Sequence, residues 1–300
     1  MKRKALFLIC TLSLLLPFTP VSDSHGADDL NNSIAEKTLR VALVPEKNTF
    51  EQLRLYKYIT DYLSEKMGLD VTLEIMANYG EISKAFQAGR ADAGFFGSFS
   101  YVQTHAKTGI ELLARPVWLD GSSTYRGYIF VRKDSNIETV EDMKNKSLVL
   151  VDKATYAGYI FQLFYFKYYG ISNLEDYFSR ISFASSHDAS VWAVYIGEAD
   201  VGGAKNNIYN DFREKYPDFN EKMSIVAESP EVPSNGFAVR KDLNQATKTW
   251  LKSLLLTLDE SQDGREVLKK FGALKFIKTS DEDYKALYNM IEDLGINLAE

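Results

Sequence analysis

Three short stretches of this 300-residue sequence carry groups able to hold an anion. Asp152-Lys153-Ala154-Thr155 closes an apolar run and precedes a helical pattern that begins at Ala157. Free backbone N–H groups at a helix start, the positive end of the helix dipole and the Thr155 hydroxyl together suit an oxyanion. Taken alone, Thr155 fits equally well as the residue that caps the helix. His187 stands just before a helix beginning near Asp188, and its imidazole N–H can donate to an oxyanion. A lone histidine in that position also fits a cap or a satisfied surface residue. Ser98 and Ser100 follow Gly97 at a second helix start and offer donors from another part of the chain.

Other chemistry finds no support. There is no Ser-His-Asp order with a nucleophile elbow and no His-x-x-x-His pair. Neither a cofactor nor a metal is expected, and no residue is assigned a catalytic role. Glu46 and Asp120 could be drawn as an acid/base pair, but nothing brings them together and both read as solvated positions. The aromatic run 159–169 covers several helix faces and is better explained by packing than by stacking on a ligand. Cys10 is the only cysteine and falls in the apolar leader, which leaves thiol catalysis and disulfides without a residue.

The elements that position these groups alternate. Strands are expected at 39–44, 71–76, 93–96, 128–132, 148–151 and 237–240. Helices are expected at 50–67, 81–88, 100–108, 140–144, 157–169 and 189–196, with a helical tail over 245–258, 264–271 and 281–294. Such alternation means α/β with mainly parallel sheets. Gly89-Arg90-Ala91-Asp92-Ala93-Gly94 recurs as Gly197-Glu198-Ala199-Asp200-Val201-Gly202, which suggests two similar lobes facing each other at their strand ends; a common turn arising twice would give the same pattern. Residues 128–132 leave the first lobe and 236–240 return to it, after Pro230 and Pro233, as a two-strand hinge that permits closure.

Composition bounds the function. At 45% apolar and 25% charged the chain folds and is long enough for two domains. A net charge of −6, with no later Lys/Arg cluster, argues against nucleic acid as a partner. Lys2, Arg3 and Lys4, the apolar run 5–16 and the small residues up to Ala27 read as a secretory signal, residues 1–26. Its removal takes away three basic and one acidic residue, so the charge goes from −6 to −8. Export of an acidic, cysteine-free chain points to a bacterial periplasm.

In their order along the chain, these residues resemble the phosphonate, phosphite and phosphate substrate-binding proteins of ABC importers. The resemblance runs from about 39 to 278. It rests on Tyr79 before a helix, Gly89-x-Ala91-Asp92-x5-Ser98, Asp120-Gly121-Ser122 with Tyr125, and 128–134 followed by 140–144. It continues through Thr155-Tyr156-Ala157-Gly158, Ser186-His187-Asp188, and Ser229-Pro230-x-x-Pro233 ahead of Val239-Arg240.

The resemblance implies a two-lobed type II periplasmic-binding-protein clamshell, with lobe I from 38–127 and 236–300 and lobe II from 128–235. It implies ligand contacts from Tyr79, Tyr125, His187 and the Ser98 loop. Thr155, Tyr156 and Ala157 stand where the family commonly has Ser-Thr-Ser. Asn207 and Asn235 stand where aminoalkyl-phosphonate receptors carry carboxylates, and asparagine cannot pair a buried ammonium. The expected ligand is therefore phosphite, phosphate or a phosphonate without an amine. The expected partner is a membrane permease, and the expected state a monomer. The competing readings are a sensing subunit docked on a membrane sensor kinase and a receptor for a neutral or aromatic solute.

Overall fold

The computed structural model describes residues 37–299. The expected signal segment 1–26, with Cys10, lies outside them. Among the described residues, apolar residues in short runs form thirteen strands: β1 (Thr38–Leu43), β2 (Asp70–Ile75), β3 (Ala93–Phe96), β4 (Glu111–Trp118), β5 (Thr124–Tyr125), β6 (Gly127–Arg132), β7 (Ser147–Leu150), β8 (Arg180–Phe183), β9 (Val201–Lys205), β10 (Met223–Glu228), β11 (Val232–Pro233), β12 (Gly236–Val239) and β13 (Ala273–Ile277). They make a six-stranded sheet, β13-β4-β12-β3-β1-β2, and a five-stranded sheet, β10-β6-β9-β7-β8, each flanked by helices.

Both sheets are mixed, where the alternation of elements predicts mainly parallel ones. β1 runs parallel to β2 and β3, and β7 parallel to β8 and β9. β12 is antiparallel to β3 and β4, and β6 antiparallel to β9 and β10. The reason lies in how β6 and β12 are reached. Each follows directly from a segment crossing between the sheets, and a parallel neighbour would need a helical crossover. The expected hinge strands are these same two, and they lie inside the sheets. The crossings themselves pair as a short ladder, Tyr125 opposite Val232 and Thr124 opposite Pro233.

The sequence repeat has a common physical role. Gly89 and Gly197 both adopt positive φ, +64° and +84°, which ends a helix and frees the next residues for a strand. The aspartate three residues after each glycine then ties that strand to the adjacent one. Asp92 accepts from the Arg40 backbone N–H (2.9 Å), and Asp200 from the Ser147 N–H (2.8 Å). The tail helices fall at Gln245–Leu256, Gln262–Phe271 and Lys285–Leu294, close to their expected ranges, and between them Ala273–Ile277, where no strand is expected, pairs with β4 at the sheet edge.

Burial divides the core in a way that matters for the site. Leu39, Val41, Leu43, Phe95, Phe237 and Phe271 pack in a cluster confined to the first sheet and its helices. A second cluster is continuous from Tyr79 and Phe99 through Tyr125 to Tyr156 and Phe161, and so spans the junction of the two sheets.

Candidate functional site

The strands end toward one seam, as open α/β sheets place ligands. Glu46 follows β1, Tyr79 follows β2, Ser98 follows β3, Thr155 follows β7, His187 follows β8, and Lys205 is the last residue of β9. Two hydrogen bonds donated by backbone N–H groups close the seam. His187 N–H donates to the Glu46 carbonyl (3.1 Å), and Asn48 N–H donates to Asp188 Oδ2 (2.9 Å). The outer side of the seam opens into a groove of about 1320 Å³ lined by residues flanking both partners, among them Pro45, Asn48, Ser186 and Trp192.

The helix start after Thr155 has an unusual form. Tyr156–Ile160 is a π-helical turn that continues as the α-helix Phe161–Tyr168. Thr155 does not cap it; its hydroxyl donates to the Asp152 carbonyl at 2.6 Å. A π start leaves one more N–H without a helical acceptor than an α start does. Gly158 permits this turn, because a Cβ there would fall within the van der Waals envelope of Val151 Cβ. Gly158→Ala should cost about 1–3 kcal/mol of stability through overpacking. It should also weaken ligand binding by about tenfold or more, since the donors aimed at the seam move with the turn. Thermal melts and titration calorimetry on one preparation check both, and unchanged affinity would show that the turn does not contact ligand.

Tyr79 and His187 meet across the seam. Their rings stand 6.0 Å apart at 80°, each residue is 1% exposed, and Tyr79 Oη and His187 Nδ1 have no hydrogen-bond partner among the described residues. Buried polar atoms are paired in the great majority of cases, so two adjacent orphans mark a place built to receive a polar group. Burial, then the Glu46 charge, raises the Tyr79 phenol well above its ordinary value, so it stays a donor. Burial, then nearby Lys205, holds His187 well below the ordinary histidine range, so it is neutral in the ligand-free protein.

The remaining expected contacts divide. Tyr125 and Ser98 are buried, but Ser98 Oγ lies 3.0 Å from Tyr125 Oη and donates to the Pro233 carbonyl (2.7 Å). Tyr156 Oη donates to the Pro230 carbonyl (3.1 Å), and burial pushes this phenol up to about 12. These three hydroxyls hold the crossing segment. Ser100 Oγ turns back to the Gly97 carbonyl (3.0 Å), so of this loop the backbone N–H groups are what can face a ligand. Ala157 is buried at the π turn.

Asn235 is buried, whereas Asn207 is exposed and its side chain accepts from the Ile208 N–H (3.0 Å). The expected Asn207–Asn235 pair is thus not assembled. Asn207 already belongs to the helix Asn206–Lys215, and the residue of this stretch that enters the seam is Lys205, at the strand's end.

Lys205 and Glu46 form a buried ion pair that the sequence reading missed. Glu46, read as solvated, is 8% exposed, and Lys205 4%. Lys205 Nζ donates to Glu46 Oε1 and to Asn235 Oδ1 (2.7 Å), and Asn235 Nδ2 donates to Glu46 Oε2. The ammonium lies over the Tyr125 ring, 4.5 Å from its centroid. Asp120, the other carboxylate of the imagined pair, is exposed and caps its own turn through Ser122. Among the described residues no group of three or more His, Cys, Asp or Glu could hold a metal, and no helix is long and apolar enough to cross a membrane.

The sequence model of a family described as "ABC transporter, phosphonate, periplasmic substrate-binding protein" matches residues 41–284. The chain belongs to this family. Its members are substrate-binding transporter proteins, not enzymes. The chain is 21% identical to the phosphonates-binding periplasmic protein of Escherichia coli (strain K12) over 94% of its length and 82% of that protein's. Its fold matches PhnD1 from Prochlorococcus marinus (MIT 9301), solved in complex with methylphosphonate, at a TM-score of 0.76 and 20% identity, covering 86% of this chain and 98% of that one. A binding protein component of an ABC phosphonate transporter from Pseudomonas aeruginosa matches at 0.79 and 17% identity, covering 87% of each chain. The two-lobed α/β periplasmic-binding-protein fold is therefore that of this chain.

Proposed function

We propose that this family member is the receptor of an ABC importer for a small phosphorus oxyanion without an amine: phosphite, phosphate or a simple phosphonate. The observation that carries the reading is the pair of buried polar groups without partners among the described residues, Tyr79 Oη and His187 Nδ1, on rings 6.0 Å apart across the seam. Neutral donors and helix-start N–H groups suit an oxyanion, and in a nonpolar surround they act with little screening. The nearby Glu46 carboxylate does not repel the ligand as a bare charge would, because Lys205 neutralises it. In this reading the chain is exported by its signal segment, acts as a monomer and presents its closed form to a permease.

Titration calorimetry of refolded, ligand-stripped protein tests this. Methylphosphonate, phosphite or phosphate should bind in the low micromolar range, about −8 kcal/mol. The same ligand should raise the melting temperature. Absence of binding by all three, with binding of a neutral aromatic solute, would replace the oxyanion reading.

A further inference from the structure

We propose that Lys205 is a resident ammonium: held by Glu46, Asn235 and the face of Tyr125, it occupies the place in the cleft where a ligand's amine would sit, and so restricts the receptor to amine-free oxyanions. The inference rests on the oxyanion reading and names the residue that sets its ligand class.

The surroundings of Nζ are what recognises a primary ammonium: a carboxylate oxygen, an amide oxygen and an aromatic face. None of them comes from the strand that carries the lysine. Glu46 follows β1, Tyr125 lies on β5, Asn235 lies between β11 and β12, and the ammonium alone arrives from β9. The cradle is also rigid. The Glu46 N–H donates to Gln52 Oε1 (3.0 Å), Gln52 Nε2 donates to the Val44 carbonyl (2.8 Å), and Asn235 Nδ2 lies 3.3 Å from Tyr56 Oη.

The cradle adjoins the orphaned donors. The Glu46 residue whose carboxylate holds Lys205 accepts the His187 N–H through its backbone carbonyl. The Lys205 ammonium is near enough to His187 to act on its charge, so a ligand whose anionic end is bound by Tyr79 and His187 has its other end on the Lys205 side of the cleft. An amine there would meet a second ammonium and a carboxylate with both oxygens already engaged. A buried charge in that position lacks the partner it needs.

The test is a change of ligand preference. Wild-type protein should bind ethylphosphonate about tenfold or more tighter than 2-aminoethylphosphonate, read by calorimetry. Lys205→Ala frees the carboxylate and should gain about tenfold or more for 2-aminoethylphosphonate. The double variant Lys205→Ala/Glu46→Gln, with the cradle but no charge, should show no such gain. A cooperatively melting Lys205→Ala variant without the gain overturns the inference. So does a wild type that binds the two phosphonates equally, a comparison that stands even where the alanine variant does not fold. A wild type that binds ethylphosphonate but fails these comparisons leaves the oxyanion reading intact, whereas one that binds no phosphorus oxyanion overturns both.

Discussion

Glu46→Ala should lower the unfolding free energy of the ligand-free protein by about 3–5 kcal/mol, the cost of stranding one partner of a buried ion pair. The lysine side chain is 5% exposed and the glutamate's 11%, so solvent does little to screen the loss. Without Glu46, Lys205 Nζ keeps the Asn235 oxygen and the Tyr125 face but no countercharge. Asn235 loses an acceptor as well. In a chain of this length the change should appear as a fall in melting temperature of roughly 10 °C. Glu46→Ala/Lys205→Met should recover much of it, because removing both charges leaves none buried alone. A single variant as stable as the wild type would show that water reaches Lys205. The pair would then be no sealed feature of the seam.

This pair also shows where the sequence stops being legible. The alternation of apolar runs, the Gly-x-Ala-Asp repeat and the polar stretches at 155 and 187 follow from local chemistry, so two α/β lobes and two helix starts could be read directly. Lys205 and Glu46 are 159 residues apart, and nothing local distinguishes either from an ordinary charged residue beside a strand. Asn207 is expected in the cleft, but it is exposed and the buried residue of this stretch is Lys205, two positions earlier. The helix begins at Asn206, so inward and outward positions change over within one peptide unit. Strand direction was also out of reach. Whether a strand runs parallel or antiparallel depends on its neighbour, and β6 and β12 acquire theirs only through the crossings at β5 and β11. The family resemblance aims the Ser98, Tyr125 and Tyr156 side chains at a ligand. In the fold they hold the Pro230–Pro233 segment, a tie visible only once the crossings are in place.

His187→Gln should weaken the oxyanion by about 10- to 100-fold, the usual loss when a hydrogen bond to a charged group is removed from a buried site. It should also change how stability depends on pH, which a residue that merely fills space would not do. The folded protein holds His187 well below its ordinary value through burial and the adjacent Lys205, while the unfolded chain titrates near the ordinary value of 6.5. Below that point the unfolded state takes up a proton that the folded state refuses. The contribution of neutral His187 is therefore present in full above about pH 6.5 and is lost progressively as the pH falls toward its folded pKa. The carboxylates held low by hydrogen bonds, Asp134 by Arg132 and Asp142 by the Thr139 backbone, lose their contributions only below about pH 4, where free aspartate titrates. Burial raises Asp211 above its ordinary value, and it acts in the opposite sense as the pH falls, so the His187 share between about pH 5 and about pH 6.5 is the difference between the wild type and His187→Gln. Wild-type protein should melt at a distinctly lower temperature near pH 5.5 than near pH 7.5, and His187→Gln should remove most of that difference. Parallel slopes for the two proteins would mean that the histidine is hydrated and free to ionise. The neutral donor facing Tyr79 would then have to be another group.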